Sequence, residues 1–176
     1  MLRLRPYKPG DAGTIISWCK DETEFRKWTS DRYDSFPVTA DDINGKYFDN
    51  NGDCTEADNF YPMTAFDENG IVGHLIMRYT DKEKKTLRFG FVIVDSSKRG
   101  CGYGKEMIML SIKYAFEIFK ADKITIGVFE NNMPAYHCYK NAGFSDNEAD
   151  NSVCELFGEK WKVLELQYKK EDYKNC

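Results

Sequence analysis

The chain has 176 residues, of which 41% are hydrophobic, 15% aromatic and 31% charged, and its formal net charge is −4. Disordered proteins have fewer hydrophobic residues and a larger net charge, so this composition excludes a disordered chain. The length suits one hydrophobic core, and we predict a single domain spanning residues 1–176.

The sequence shows none of the features of an exported or membrane-spanning protein. The opening MLRLRPYKPGD lacks the apolar run of a secretion signal, and no stretch approaches the roughly 20 apolar residues of a membrane span. The six cysteines have neither C-x-x-C spacing nor matching histidines, which favours free thiols over a metal site or a disulfide framework. We therefore expect a cytoplasmic protein without membrane association and without a metal ion.

Charge is distributed unevenly along the chain. Residues 21–68 hold 13 Asp or Glu against 4 Lys or Arg, a net of −9, so the remaining residues total +5. A nucleic-acid-binding protein usually has a concentrated basic face, and the acidic segment argues against that class. The division suits an anionic ligand on one side and a cationic ligand on the other, although a solvated acidic surface would give the same counts.

The N-terminal third is predicted to begin with a strand and to continue as short helices. Residues 2–6 alternate in polarity as a β-strand does, Pro9-Gly10-Asp11 interrupts them, and apolar residues return at helical spacing over residues 12–18. Residues 22–51 are polar with isolated large apolar side chains. This pattern favours short helices and loops that shape a binding site.

The middle of the chain is predicted to be an antiparallel meander followed by a helix. Residues 60–66, 71–79 and 87–94 are β-like runs, and residues 67–70 join the first two as a hairpin turn. Residues 105–119 then have the apolar periodicity of a helix that packs on the sheet. Its predicted buried face consists of Ile108, Ile112, Ala115 and Phe119.

The C-terminal part is predicted to hold a strand, a short helix and a last strand. The first strand covers residues 123–129, and Asn132 is expected to cap the helix, with Pro134 where no amide donor is needed and Gly143 at the end. Residues 161–168 alternate as a strand before a charged tail.

A glycine-rich turn between a strand and a helix carries most of the functional information. Glycines at positions 100, 102 and 104 let the backbone approach a ligand closely, and the free amides of the helix N-terminus favour phosphate. Lys98, Arg99 and Lys105 add positive charge. Dinucleotide-binding folds and phosphate-loop enzymes use similar turns, but the turn is not early in a βαβ unit, and Lys105 precedes Glu106 rather than Ser or Thr. A purely structural tight turn is the remaining alternative.

These residues resemble the GNAT superfamily of acyl-CoA-dependent N-acetyltransferases. Its signature Q/R-x-x-G-x-G/A is matched by Arg99, Gly102 and Gly104. A second element, N-x-x-A-x-x-x-Y-x-x-x-G-F, is matched by Asn132, Ala135, Tyr139, Gly143 and Phe144. The resemblance covers roughly residues 60–168. The part of the chain before residue 60 is only loosely similar to the branch that includes ribosomal-protein N-terminal acetyltransferases.

The resemblance implies an α/β (α+β) fold with a mixed, twisted sheet, splayed at its centre and flanked by helices. It also implies that acetyl-CoA is the cosubstrate, with its pantetheine arm paired to the strand near residue 93 and its pyrophosphate on the turn. The implied cofactor-binding residues are Val92, Ile93, Val94, Arg99, Gly100, Cys101, Gly102, Tyr103, Gly104, Lys105, Asn132 and Tyr139. Members of the superfamily are often dimers, so a homodimer is a further expectation.

The expected reaction needs a proton donor and a general base. An alkyl ammonium must lose a proton before it attacks the thioester, and the leaving thiolate must gain one. By resemblance the donor is Tyr139, although a tyrosine on this helix could equally serve the core. Many relatives place a glutamate base where this chain has Gly127. The open candidates are ordered water and the side chains of Glu22, Glu24, Asp31, Glu130 and His74.

The acceptor is predicted to be an amine, on a small molecule, a protein N-terminus or a lysine. Aromatic residues of the acidic segment are candidate pocket walls, chiefly Phe25, Trp28 and Tyr33, with Trp18 and Phe36 nearby, although a satellite core would use the same residues. The absence of an acid at position 127 leaves a non-catalytic CoA-binding module as an alternative function. A phosphate or nucleotide binder is a third hypothesis.

Overall fold

A computed structural model describes residues 1–173, and within them one mixed sheet of eight strands is flanked by helices. The strands are β1 (Arg3–Pro6), β2 (Tyr61–Asp67), β3 (Gly70–Tyr79), β4 (Thr86–Val94), β5 (Lys123–Phe129), β6 (Ser145–Asp146), β7 (Ser152–Leu156) and β8 (Glu159–Lys169). The helices are α1 (Ala12–Ser17), α2 (Glu22–Thr29), α3 (Ala40–Asn44), α4 (Tyr103–Lys113) and α5 (Met133–Asn141). Single π-helical turns, Gly45–Asp49 and Tyr114–Ile118, extend α3 and α4.

The strand order is β1-β2-β3-β4-β5-β8-β6, with β7 also paired to β8. Neighbouring strands run antiparallel except β4 and β5, which are parallel. The predicted meander of β2, β3 and β4 is therefore confirmed. Its first turn forms because the Asn69 amide donates to the Asp67 carboxylate at 2.8 Å and Gly70 adopts a φ of +126°.

The sheet splays open at its centre, between β4 and β5. Their parallel pairing covers only Thr86–Phe89 and Lys123–Ile126. Just beyond this point β4 carries a bulge, because His74 pairs with Ile93 while Ile76 pairs with Gly90. A bulge bends its strand and ends regular pairing. The second half of β4 therefore diverges from β5, as the resemblance implies.

Hydrophobic cores cover both faces of the sheet. The first lies between the sheet and helices α4 and α5, and its fully buried members include Leu75, Met77, Leu87, Phe89, Ile108 and Ile124. The second lies under helices α1 to α3, and its most buried members include Ile15, Phe25 and Ile43. The N-terminal helices are therefore packed on the sheet rather than loosely attached.

Three local predictions were wrong or incomplete. The helix predicted from Lys105 begins at Tyr103, and its π-helical turn adds one residue, so Phe116 is buried and Phe119 only half-buried. Asn132 precedes α5, but its side chain makes no capping hydrogen bond. Strand β7 was not predicted, and it forms a hairpin with β8 through Phe157 and Gly158, both at positive φ.

All five cysteines within residues 1–173 are free thiols, and Cys176 lies outside the described residues. Burial raises the pKa of Cys19 to about 12, so this thiol stays protonated. No helix in the described part of the chain is long and apolar enough to cross a membrane.

Phe25→Ala should lower the free energy of unfolding by about 3–5 kcal/mol, because it empties a fully buried aromatic site. The ring lies 5.3 Å from Phe36 and 5.7 Å from Tyr33, centroid to centroid. Urea denaturation measures the loss. The control is Phe48→Ala, because Phe48 is 55% exposed and its loss should cost less than about 1 kcal/mol. Equal losses in the two variants would contradict this packing.

Candidate active site

Two adjoining pockets lie where β4 and β5 separate. The larger, about 680 Å³, is the glycine-turn cleft, bounded by the end of β4, by the turn at residues 99–105 and by α5. The smaller, about 450 Å³, is the sheet pocket, bounded by β3, β4, β5 and β8 and by residues 27–32 and 52–54. The residues that line both pockets are Lys27, Trp28, Val92, Asn132 and Tyr139.

The glycine-turn cleft brings together ten of the twelve predicted cofactor-binding residues. They are Val92, Ile93, Val94, Arg99, Gly100, Gly102, Gly104, Lys105, Asn132 and Tyr139. Cys101 and Tyr103 do not line it, and their contact with the cofactor stays a prediction. Cys101 is exposed, and the Tyr103 hydroxyl instead donates to the Asp67 carboxylate at 2.9 Å.

The turn itself is built as an anion cradle. Gly100 and Gly102 have φ values of +78° and +88°, which other residues rarely adopt, and Gly102 occupies the position just before α4. A Cβ atom at Gly104 would lie 3.4 Å from the Cys138 sulfur, so this glycine lets α4 pack closely against α5. The amides that begin α4 face the cleft with the positive end of the helix dipole.

Arg99 joins the turn to the N-terminal helices. Its guanidinium pairs with Glu24 at 3.0 Å and donates to the carbonyl oxygens of Val94 and Trp18 at 3.2 and 3.4 Å. Glu24 also accepts from the Lys20 amide at 2.9 Å. This carboxylate lines the glycine-turn cleft but not the sheet pocket.

Tyr139 occupies the junction of the two pockets. Its side chain is only 5% exposed, and its hydroxyl makes no hydrogen bond to any residue in the 1–173 range. Burial raises the pKa of this phenol, and the neighbouring Cys138 adds a smaller effect. The phenol therefore stays protonated at neutral pH and is available as a proton donor.

The sheet pocket contains an ion pair that the sequence analysis did not identify. Both Glu165 carboxylate oxygens accept from Arg88 at 2.8 Å, and the Glu165 side chain is only 10% exposed. A Cβ atom at Gly127 would lie 2.8 Å from Glu165 Oε1 and 2.8 Å from Arg88 Nη2. The Glu165 carboxylate therefore occupies the space beside Gly127, because Gly127 pairs with Glu165.

Of the three predicted acceptor-binding residues, only Trp28 lines the pockets. Its indole nitrogen donates to the Phe91 carbonyl oxygen at 2.8 Å, which holds α2 against the β4 bulge. Phe25 and Tyr33 instead pack in the second core and line neither pocket, so their role in acceptor binding stays a prediction without support from the pockets. Trp18 and Phe36 also belong to that cluster.

The other candidate bases are engaged or lie away from the junction. Glu22 pairs with Arg26 at 3.0 Å, and Glu130 is exposed outside both pockets. His74 is fully buried beside Tyr47, and burial lowers its pKa to about 3. Asp31 lines the sheet pocket, but its side chain is 64% exposed.

Comparisons with known proteins agree with this geometry. The family model of the acetyltransferase (GNAT) domain matches residues 1–145. The spermine/spermidine N(1)-acetyltransferase of Bacillus subtilis (strain 168) is 30% identical over 120 residues, which are 65% of this chain and 76% of that protein. An uncharacterized N-acetyltransferase derived from the SPbeta prophage of the same strain is 29% identical over 90 residues, which are 51% of this chain and 50% of that protein.

Solved structures share the whole fold. The crystal structure of spermidine N-acetyltransferase from Vibrio cholerae in complex with CoA and spermine has a TM-score of 0.79 at 19% identity, covering 97% of this chain and 96% of that one. A putative phosphinothricin N-acetyltransferase has a TM-score of 0.73 at 20% identity, covering 96% and 98%. The chain belongs to the GNAT acetyltransferases and is an enzyme that transfers the acetyl group of acetyl-CoA to an amine.

Proposed function

We propose that acetyl-CoA binds in the glycine-turn cleft and that a small-molecule amine reaches the thioester from the sheet pocket. The observation that carries this proposal is the meeting of the two pockets at Tyr139. A ligand in each pocket would approach the other there, beside a protonated phenol. The structure thus has separate places for an acyl donor and an acyl acceptor.

The chemistry of the cleft suits CoA. The positive-φ glycines, the start of α4 and Lys105 would hold the pyrophosphate. Beyond the bulge, no described strand pairs with Val92–Val94 on the β5 side, so backbone groups there are open to the amides of pantetheine, apart from the Val94 carbonyl oxygen that accepts from Arg99. A backbone amide of this segment would also polarise the acetyl carbonyl. Acetyl-CoA supplies the thioester, and the protein positions it.

Two proton movements are assigned to residues at or near the junction. Tyr139 donates a proton to the departing sulfur, because its hydroxyl is protonated at neutral pH and lies where the two pockets meet. Glu165 takes the proton that the amine must lose, directly or through water, because it fills the space beside Gly127 and lines the sheet pocket. Arg88 holds the carboxylate in place through two hydrogen bonds.

The acceptor is an amine small enough to enter the sheet pocket. The pocket is enclosed by segments from both ends of the chain, including residues 27–32 and 152–154, which favours a small molecule over a protein N-terminus. The similarity to a spermine/spermidine enzyme makes polyamines the first amines to assay. The single domain, the cytoplasmic location and the homodimer stay predictions, and nothing supports a non-catalytic CoA-binding role.

Gly102→Asp should abolish acetyl-CoA binding for two reasons. The aspartate would have to adopt a φ of +88°, which residues other than glycine rarely do, and its negative charge would lie where phosphate would bind. Isothermal titration with acetyl-CoA measures the affinity. Gly158→Asp is the matched control, since Gly158 has a φ of +72° but lies in the β7–β8 turn, outside both pockets. Unchanged affinity in a folded Gly102 variant would remove the turn from the cofactor site.

Tyr139→Phe should lower kcat about 100-fold and leave the dissociation constant of acetyl-CoA nearly unchanged, because only the donated proton is lost. Steady-state kinetics and titration give the two values. Tyr136→Phe is the control on the same helix. The Tyr136 hydroxyl donates to the Asp146 carboxylate at 2.9 Å, and Tyr136 lines neither pocket. Full activity without the Tyr139 hydroxyl would exclude it as the donor.

Glu165→Gln should lower kcat about 100-fold at pH 7, because the amide cannot take up the proton of the amine. The deficit should shrink as the pH rises and more amine arrives deprotonated. Rates from pH 6 to 10 measure this, and Glu130→Gln is the control because Glu130 lies outside both pockets. A deficit that stays constant with pH would leave Glu165 only a structural role.

A further inference from the structure

Arg78 is a cation without a partner in the wall of the sheet pocket. It lies on β3 directly opposite Arg88 of β4, and its side chain is half-buried. Within residues 1–173 the Arg78 guanidinium makes neither a hydrogen bond nor an ion pair. Burial lowers the pKa of this guanidinium, and Glu56, the acid that attracts it, is exposed and forms no ion pair with it.

The acids of the sheet pocket are already used by other cations. Glu165 is held by Arg88 through both oxygens. Asp53 pairs with Lys46, and Asp31 lies 3.7 Å from Arg32. Lys27 lines the pocket as well, and it too has no ion-pair partner among the described residues. The pocket therefore has positive charge in excess.

We propose that Arg78 binds an anionic group of the acetyl acceptor, a carboxylate or a phosphonate, so that the natural acceptor carries an anion as well as the amine. The proposal rests on the proposed function, because it assigns the sheet pocket to the acceptor. A guanidinium presents two parallel donors, which match the two oxygens of such a group. Glu165, ion-paired with Arg88, lines the same pocket.

The anion bound by Arg78 belongs to the acceptor rather than to CoA. Arg78 lines the sheet pocket and does not line the glycine-turn cleft. The cleft has its own cations, Arg99 and Lys105, beside the glycine turn. An arginine without an ion-pair partner adds no attraction that would stabilise the sheet, and Arg88, directly opposite it on β4, carries the same charge. A structural role therefore does not account for it.

Matched acceptors that differ only in the anion test the proposal. Initial rates with saturating acetyl-CoA are measured for 4-aminobutyrate against butylamine, and for lysine against cadaverine, with spermidine as the polyamine reference. The anionic member of each pair should have a kcat/KM about tenfold higher or more, the effect of a charge-assisted hydrogen bond. Adding 3-aminopropylphosphonate to the set shows whether the site prefers a phosphonate or a carboxylate. Equal or higher values for butylamine, cadaverine or spermidine would overturn the proposal.

Arg78→Met should remove this preference. The ratio within each pair should fall to about one, because the anionic member loses its contact with the guanidinium. Arg3→Met is the control, because Arg3 lies on the edge strand β1 outside both pockets. Urea denaturation should show no loss of stability in Arg78→Met. A preserved preference in the variant would contradict the role of Arg78.

A binding measurement decides the question even if none of these amines is acetylated. Thermal unfolding is followed with saturating CoA, with sulfate replacing chloride at constant ionic strength. Sulfate should raise the Tm of the wild-type protein more than that of Arg78→Met, and equal rises would overturn the proposal. The effect of CoA alone is recorded first. A missing CoA effect would count against the proposed function, whereas equal sulfate effects count only against the anion site.

Discussion

The whole site depends on the early end of the parallel pairing between β4 and β5. Pairing stops at Phe89 and Ile126, because the next residues of β4 form a bulge. Phe91, in the bulge, has a φ of +48°, and Trp28 holds its carbonyl oxygen at 2.8 Å. Had the ladder continued, β5 would occupy the backbone groups that the cleft exposes. The two pockets would then be separated by a closed sheet.

The glycine in β5 and the carboxylate in β8 are two parts of one arrangement. A Cβ atom at position 127 would lie 2.8 Å from the ends of the Arg88 and Glu165 side chains, so both would have to shift to admit it. Gly127 leaves the room in which a carboxylate from the neighbouring strand, held by an arginine from β4, reaches the pocket.

Local sequence signals predicted most strands and helices and ten residues of the cleft, since the turn and α5 are each defined by a short stretch of chain. They did not place Arg78, Arg88 and Glu165 in one pocket, because that grouping depends on the register of β3, β4, β5 and β8, and β8 is far from β3 and β4 in the sequence. They also could not tell a pocket wall from a core. Phe25 and Trp28 are both aromatic residues of α2, but only Trp28 lines the pockets. How α2 packs on the sheet decides which of the two side chains faces a pocket and which faces the core.

Net charge along the sequence did not predict the sign of the acceptor pocket, because many acids of the acidic segment are used locally. Asp21 caps α2, Asp42 completes the capping box of α3, and Glu22 pairs within its own helix. Such acids contribute little to the electrostatic attraction of a ligand in the pocket, since their charge is compensated or solvated. What a ligand meets is the set of charges left uncompensated inside the pocket. In this protein that set is led by Arg78 and Lys27, so a segment of net negative charge borders a pocket of positive excess.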